Sequence, residues 1–306
     1  MKVKKESKNK LSPLTIALFT VLAIYVVFLL VVFVWVFLTA SKDYYMDYRP
    51  LKGEPNLAGF PKEFKLFYNI SLINKCFAGF TLIEMAIYTL LYALGCSLAK
   101  VVVTCVVSYL CSRYENFFSK IIYIVVIVTM IIPVVGNQAA EIQLARELNF
   151  HDSILGMWIM RANFLGMYFL VFYSVFKSMP KGYYEAARID GANDWQVMVK
   201  IALPLVKYTF FSIFLILFIE YWNDYLIPNY YLPSYKTLSL ALHQQSGSQY
   251  LAPVKVLING TELEMTLDKD TYVMATTLCV TIPVIAIFAI FSKKLMGNLS
   301  VGGLKG

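Results

Sequence analysis

Charge is scarce in this sequence of 306 residues: Asp, Glu, Lys and Arg together make up 15% of it. A soluble domain carries about 25%. Hydrophobic residues reach 59% and the mean hydropathy is +0.63, which argues against an ordinary soluble enzyme. Glycine is limited to 15 residues beside 22 Phe and 22 Tyr, so the chain is not a low-complexity disordered one. The five cysteines (Cys76, Cys96, Cys105, Cys111, Cys279) form no CxxC pair. Most lie in or beside apolar runs, where a thiol behaves as a small hydrophobe, so neither a disulfide framework nor a zinc site is expected. The only histidines, His151 and His243, are too far apart in sequence to suggest a metal cluster. No G-x4-G-K-[ST] phosphate loop occurs, so the chain has no ATP cradle of that kind.

What is abundant is long apolar sequence. A helix needs roughly 20 apolar residues to cross a hydrocarbon core of about 30 Å. Six runs qualify: 14–38, 86–110, 121–140, 154–176, 205–227 and 271–292. The first follows a basic tail, residues 1–13, and is too long for the apolar part of a signal peptide, so it is expected to be a retained anchor. The fold class expected is an all-α membrane protein with six transmembrane helices and both termini cytoplasmic.

The orientation follows from charge. With the termini inside, 15 Lys and Arg fall on inner segments, counting Lys207 at the inner end of the fifth run, and 10 on the longer outer ones, while acids divide 5 inside and 12 outside. That agrees with the positive-inside rule, and it accounts for the net charge of +8 without nucleic acid. The outer segments 39–85 and 228–270 contain turn signals, such as Gly53, Glu54-Pro55 and Asn259-Gly260, and are expected to form small structured caps. The inner segments are 111–120, the loop 177–204 and the tail 293–306.

The loop 177–204 reads as two short helices. Pro180 suits a helix start. Tyr184 to Arg188 are mostly good helix formers. Gly191 can end the first helix in the left-handed region, and Asn193 or Asp194 can cap the second. Pro204 allows a break or kink before the next span. The first helix, carrying Glu185, has the shape of a knob for another protein's groove.

At these residues the sequence resembles a family. Glu185-Ala186-Ala187, then Gly191, then Ile201-x-Leu203-Pro204, resemble the EAA loop of ABC importer permeases. The phrase Glu185 to Ala192 resembles the carbohydrate-uptake, MalG-like branch. Tyr221-Trp222-Asn223-Asp224-Tyr225, Thr237 to Leu242 and the ending Gly297 to Gly306 resemble further segments of the same family. There are departures: the fourth span lacks the family's Arg-Gln pair, and Gly303-Leu304 replaces Ala-Val in the tail.

The resemblance implies a permease subunit of an ATP-driven importer for a sugar or oligosaccharide, in the bacterial plasma membrane. It implies four kinds of partner: a second, MalF-like permease, two ATPase subunits, an extracellular solute-binding protein and the sugar itself. ATP and Mg would be bound by the ATPases, with no cofactor on this chain. Glu185, Ala186, Ala187, Gly191, Ile201, Leu203 and Pro204 would form the ATPase-coupling set. The alternatives are an ABC permease for another solute, such as glycerol phosphate or a polyamine, and an ion-coupled transporter acting alone.

Polar residues inside the spans are candidates for the substrate pathway: Lys100, Arg161, Asn163, Glu220, Asn223 and Asp224. A charge at a helix centre costs at least about 2.5–3.5 kcal/mol, so such residues usually face the bundle interior or a wet cavity. A structural ion pair, or snorkelling of Lys100, would account for the same residues. Trp158, Tyr168, Tyr221 and Trp222 are able to stack on sugar rings or to sit in interfacial belts.

Overall fold

A computed structural model describes residues 12–50, 53–76, 79–132, 136–247, 253–258, 261–265 and 269–299. The basic N-terminal tail, except its last two residues, and the ending from residue 300 lie outside the described residues. In chain order the helices are α1 (Pro13–Ala40), α2 (Leu66–Cys76), α3 (Leu82–Arg113), α4 (Phe117–Ile131), α5 (Gln138–Glu147), α6 (Ile154–Arg161), α7 (Met167–Lys177), α8 (Gly182–Ile189), α9 (Asp194–Val197), α10 (Leu203–Asn223), α11 (Leu226–Tyr231), α12 (Leu238–Gly247) and α13 (Asp270–Leu299). Strands β1 (Val254–Ile258) and β2 (Thr261–Met265) stand between α12 and α13.

Among the described residues, four helical stretches are long and apolar enough to cross a membrane: α1, α3, Asp194–Asn223 and the first 22 residues of α13. Helices α4 and α7 are apolar but shorter. The chain divides into two compact units.

The first unit holds residues 1–73 and 253–278. Ser12 caps α1, its hydroxyl accepting from the Thr15 N–H at 3.2 Å, and Pro13 follows where a missing N–H costs nothing. Residues 16–35 of α1 are exposed in this unit, the pattern of a wall meant for lipid. Beyond α1 the chain ties a polar knot. Lys42 is fully buried, and its Nζ donates to the carbonyls of Asn56 at 2.7 Å and Leu57 at 3.3 Å. Asp47 accepts from Asn56 Nδ2 at 2.8 Å and from the Lys62 N–H at 2.7 Å. Desolvation pushes the Lys42 ammonium below its usual range, and Asp47 opposes this. Asn69 Nδ2 donates to the carbonyls of Ala40 and Lys42, at 2.7 and 2.9 Å, fixing α2 to the end of α1.

One departure from the all-helical expectation belongs to this unit. Strands β1 and β2 pair antiparallel, Val254 opposite Met265 through Ile258 opposite Thr261. Their sequences alternate, Val-Lys-Val in one and Glu-Leu-Glu in the other, which is a strand period of two. Two residues separate them, the spacing of a tight hairpin.

The second unit holds residues 74–252 and 279–306. Helix α3 is its axis and packs against α4, α6, α7, α10 and α12. It opens on a capping box in which Thr81 Oγ1 accepts from the Glu84 N–H and Glu84 accepts from the Thr81 N–H. Its buried face runs Met85, Thr89, Tyr92, Cys96, with small residues Ala93 and Ser97 beside them. Small residues let helix backbones approach closely in a membrane, where apolar burial alone supplies little drive. Gly95 is the extreme case: a Cβ there would overlap the Trp158 ring on α6.

Two runs read as single spans are interrupted. In 121–140 the helix α4 stops at Ile131, and Ile132 is extended, as expected of the residue before Pro133. In 154–176 the chain leaves the helix at Ala162 and resumes at Met167, after Gly166 at φ +117°. That conformation suits glycine alone, so the break is built into the sequence at Gly166.

Candidate functional site

Two places in the second unit collect the residues singled out above. The first is the hairpin formed by α8 and α9. Helix α8 closes with a Schellman arrangement: Ala192 N–H donates to the Ala187 carbonyl at 2.9 Å, and Gly191 N–H to the Arg188 carbonyl at 3.1 Å. Gly191 sits at φ +81°, in the left-handed region. Asn193 then caps α9, its Oδ1 accepting from the Gln196 N–H at 2.8 Å while Gln196 Oε1 accepts from the Asn193 N–H at 3.0 Å. The angle between the helices is further held by Arg188, whose Nη2 donates to Asp194 Oδ1 at 2.8 Å.

This pair and a hydrogen bond from Tyr114 hold the Asp194 carboxyl below the usual carboxylate range. Its folded-state value is depressed, so its contribution is present above the ordinary range and lost as pH falls through the depressed one. The pair is exposed to solvent, which screens it, so the effect on the loop is small.

The hairpin is seated on the end of α3. Tyr184 is buried, with the Arg113 guanidinium 4.3 Å from its ring centre and the Tyr109 ring 6.5 Å away. Ala187 is buried on the same face. The opposite face is open: Glu185 and Ala186 are exposed, and so are Tyr183, Ile189 (86% exposed) and Trp195 (67% exposed). Ala187, Gly191 and Ile201 border one cleft together with Asp190, Ala192, Gln196 and Lys200.

Leu203 is half-buried and Pro204 exposed at the start of α10. No break occurs at Pro204. A wide π turn over Met198–Ala202 precedes it and joins α9 to α10, so the ring is accommodated without ending the helix.

The second place lies around Arg161, at the end of α6. Its side chain is 19% exposed, and its Nη2 stands 3.7 Å from Glu141 Oε2 on α5. Tyr231 Oη donates to the same carboxylate oxygen at 3.1 Å, and the Arg161 guanidinium lies 5.6 Å from the Tyr231 ring centre. Lys100 is half-buried within electrostatic reach of Glu220 and Arg161. Asp224 is used at both oxygens: Oδ1 accepts from the N–H groups of Leu226 and Ile227, and Oδ2 accepts from Tyr92 Oη on α3 at 2.7 Å.

Of the residues singled out, Arg161 is the one the structure gives an ionic partner, Glu141. Asn223 turns back, its Nδ2 donating to the Ile219 carbonyl at 2.9 Å, and Asn163 is met through its backbone carbonyl by Thr104 Oγ1 at 3.3 Å. Glu141, Tyr92 and Tyr231 were not singled out in the sequence. No local signal joins them to their partners, which lie far along the chain. Trp158 and Trp222 donate their ring N–H groups to the carbonyls of Leu91 and Val280, at 3.1 and 3.0 Å. Among the described residues no group of three or more His, Cys, Asp or Glu is placed to hold a metal ion.

Comparison with known proteins agrees with this architecture. Residues 101–296 match the family described as binding-protein-dependent transport system inner membrane component. The diacetylchitobiose uptake system permease protein NgcG of Streptomyces coelicolor is 24% identical over 75% of this chain and 69% of its own length. The maltodextrin transport system permease protein MdxG of Bacillus subtilis is 25% identical over 82% of this chain and 86% of its own. The fold is shared with a chain of a bacterial ABC transporter involved in the import of the acidic polysaccharide alginate. That likeness has a TM-score of 0.74 at 19% identity and covers 94% of this chain and 99% of that one. With this match and several apolar helices, the chain belongs to the binding-protein-dependent transport system inner membrane components, multi-pass permeases of the membrane.

Proposed function

We propose that this chain is one transmembrane subunit of an ATP-driven importer for a sugar or oligosaccharide. The observation that carries the reading is the α8–α9 hairpin. It is rigid, seated on α3 through Tyr184, and open on the face that bears Glu185, Ile189 and Trp195. The sugar assignment rests on the permeases named for diacetylchitobiose and maltodextrin. In this reading the hairpin docks in a cleft of a separate ATPase. ATP stabilises one state of the helix bundle differentially, through that contact, and an external binding protein delivers sugar to the opened pathway. A second permease completes the pathway.

The six spans of this reading are α1, α3, α4, α6 with α7, α10 and α13, with both termini and the hairpin inside. A cysteine placed at Ser178, in a background lacking the native thiols, should react with an impermeant reagent only after the membrane is opened. One at Ser246 should react from outside intact cells. The reverse pattern would invert the topology. Uptake of labelled oligosaccharide against glycerol phosphate, by the complex with its own binding protein, tests the substrate class.

The pathway reading centres on Arg161. Non-helical backbone at membrane depth is tolerated only where it is buried in protein or lines a wet cavity, and residues 162–166 are such a segment beside Arg161. Arg161→Gln keeps the volume roughly and removes the charge. We expect uptake to fall at least tenfold while assembly with the ATPase is retained. Loss of assembly together with uptake would make Arg161 a structural ion-pair residue instead.

A further inference from the structure

The cleft at the α3–α4–α7 end of the second unit carries chemistry that transport by the hairpin and Arg161 does not use. It has a volume of about 360 Å³ and is bordered by Glu115, Ser119, Lys120, Tyr123, Ile124 and Lys177, with Cys111 and Tyr173 behind them. Lys177 Nζ donates to Tyr173 Oη at 3.2 Å and stands 3.8 Å from Glu115 Oε1. Tyr173 and Tyr123 are in ring contact, 4.9 Å between centres, which makes a firm wall. Lys120 is exposed at the mouth. The two ammonium groups outnumber the one carboxylate.

The cleft is polar at one end and apolar at the other. Ser119 and Lys120 stand at the start of the apolar stretch of α4, and Ile124, one turn further on, is exposed. Beside them Phe117 and Phe118 are 73% and 72% exposed. In a membrane protein, Lys and Tyr side chains at the end of an apolar helix, here Lys120 and Tyr123, anchor at the headgroup level, with the helix beyond them among acyl chains. A soluble ligand has no use for this apolar side. A phospholipid fits both parts: phosphate by the lysines, acyl chain along Ile124 and the Tyr123 ring.

We propose that this cleft binds the headgroup of an anionic phospholipid, through Lys120 and Lys177 with Ser119 and Tyr123 as hydrogen-bonding neighbours. The inference rests on the chain spanning a membrane, and it holds whichever leaflet the cleft faces. Basic pockets between membrane helices hold acidic headgroups by the same combination of charge and depth.

The test is retention of lipid by the purified full chain, or its complex, read by native mass spectrometry after exchange into equal phosphatidylglycerol and phosphatidylcholine. Wild type should retain phosphatidylglycerol preferentially. Each lysine near an acidic surface contributes roughly a fivefold preference, so Lys120→Gln should lower it about that much and Lys120→Gln with Lys177→Gln further still. Lys207→Gln, a basic residue outside the cleft, should leave the preference unchanged. Melting temperature of each variant reports whether the fold is kept, and Lys120→Gln alone, at an exposed position, tests the site if the double variant unfolds. Equal retention by wild type and Lys120→Gln would overturn the proposal, as would equal loss in Lys207→Gln. Displacement of the lipid by millimolar inorganic phosphate would reassign the cleft to a free phosphate ion. None of these outcomes depends on sugar uptake, so failure here leaves the importer reading intact.

Discussion

Glu185→Lys should abolish uptake while leaving the protein folded and in the membrane. Glu185 is exposed in the first turn of α8, so the substitution removes no buried contact within this chain. The local cost is the loss of a carboxylate near a helix N-terminus, about 0.3–1 kcal/mol. Lys is as good a helix former as Glu, and the anchors of the hairpin, Tyr184 and the Arg188–Asp194 pair, point elsewhere.

The cost at the proposed contact is of another order. In the proposed docking Glu185 meets a basic group of the ATPase cleft; breaking one such charge pair in a partly buried interface costs about 2–5 kcal/mol, and charge reversal adds repulsion. That corresponds to roughly 30-fold or more in docking affinity. The expected result is normal insertion, little or no ATPase retained on purification, and no uptake. Gly191→Val should reach the same phenotype differently. A Cβ at Gly191 would meet nothing within 4 Å, so crowding plays no part. The cost comes from holding a β-branched residue at φ +81°, which opens the turn and swings α8 off its seat. Wild-type uptake and ATPase co-purification in Glu185→Lys would mean that the hairpin is an ordinary connection.

The hairpin was legible because local rules specify it. Gly191 and Asn193 are chosen by backbone conformation and by capping, and neither needs a distant partner. The long helices α1 and α3 were legible for a similar reason, since unbroken apolar sequence in a membrane leaves few alternatives. The interruption between α6 and α7 was not legible. Its cause, Gly166, stands in a run of apolar residues where a glycine is unremarkable among helical neighbours, and its φ of +117° is known only from the fold. The break is steadied by Thr104, 59 residues away, whose hydroxyl meets the Asn163 carbonyl.

The Arg161 site divides in the same way. Arg161 was legible as a charge in an apolar run. Its partner Glu141 sat near the end of a run read as a span, and Tyr231 lay in a segment read as an outer cap. Only packing joins Arg161 to Glu141, 20 positions back, and both to Tyr231, 70 and 90 positions on. The wide turn before Pro204 also escaped a reading by rules, because a proline is compatible with a break or with a bulge and the choice depends on whether α9 and α10 need to remain in line. The strands β1 and β2 did carry a local signal, the two-residue alternation around Asn259-Gly260, beside which the turn alone was noted.

Gly95→Leu should prevent the second unit from forming. The Trp158 ring stands where a Cβ on residue 95 would be, its Cε2, Nε1 and Cδ1 atoms all in overlap with that position. The ring has no easy retreat. Its Nε1 donates to the Leu91 carbonyl at 3.1 Å, one turn before Gly95 on the same helix, so moving off residue 95 means losing that bond in an apolar environment. Even Gly95→Ala forces α3 and α6 apart, and overpacking of this kind costs about 1–3 kcal/mol. A leucine adds three more carbons to the same place and should leave little monodisperse protein. The contact belongs to a pair, so the two sites should not be additive. Trp158→Leu alone should destabilise by opening a cavity and removing a hydrogen bond. Combined with Gly95→Ala it should cost less than the sum, because the new methyl group then enters the space the indole has left. The measurement is yield and melting temperature of the four proteins of this cycle, with Gly95→Leu beside them. A Gly95→Leu protein with wild-type yield and melting temperature would show that α3 and α6 do not meet at this glycine. The approach of the two helices also sets where Arg161 emerges, three residues after Trp158. Gly95→Ala, if it still folds, should therefore lower uptake more than it lowers stability.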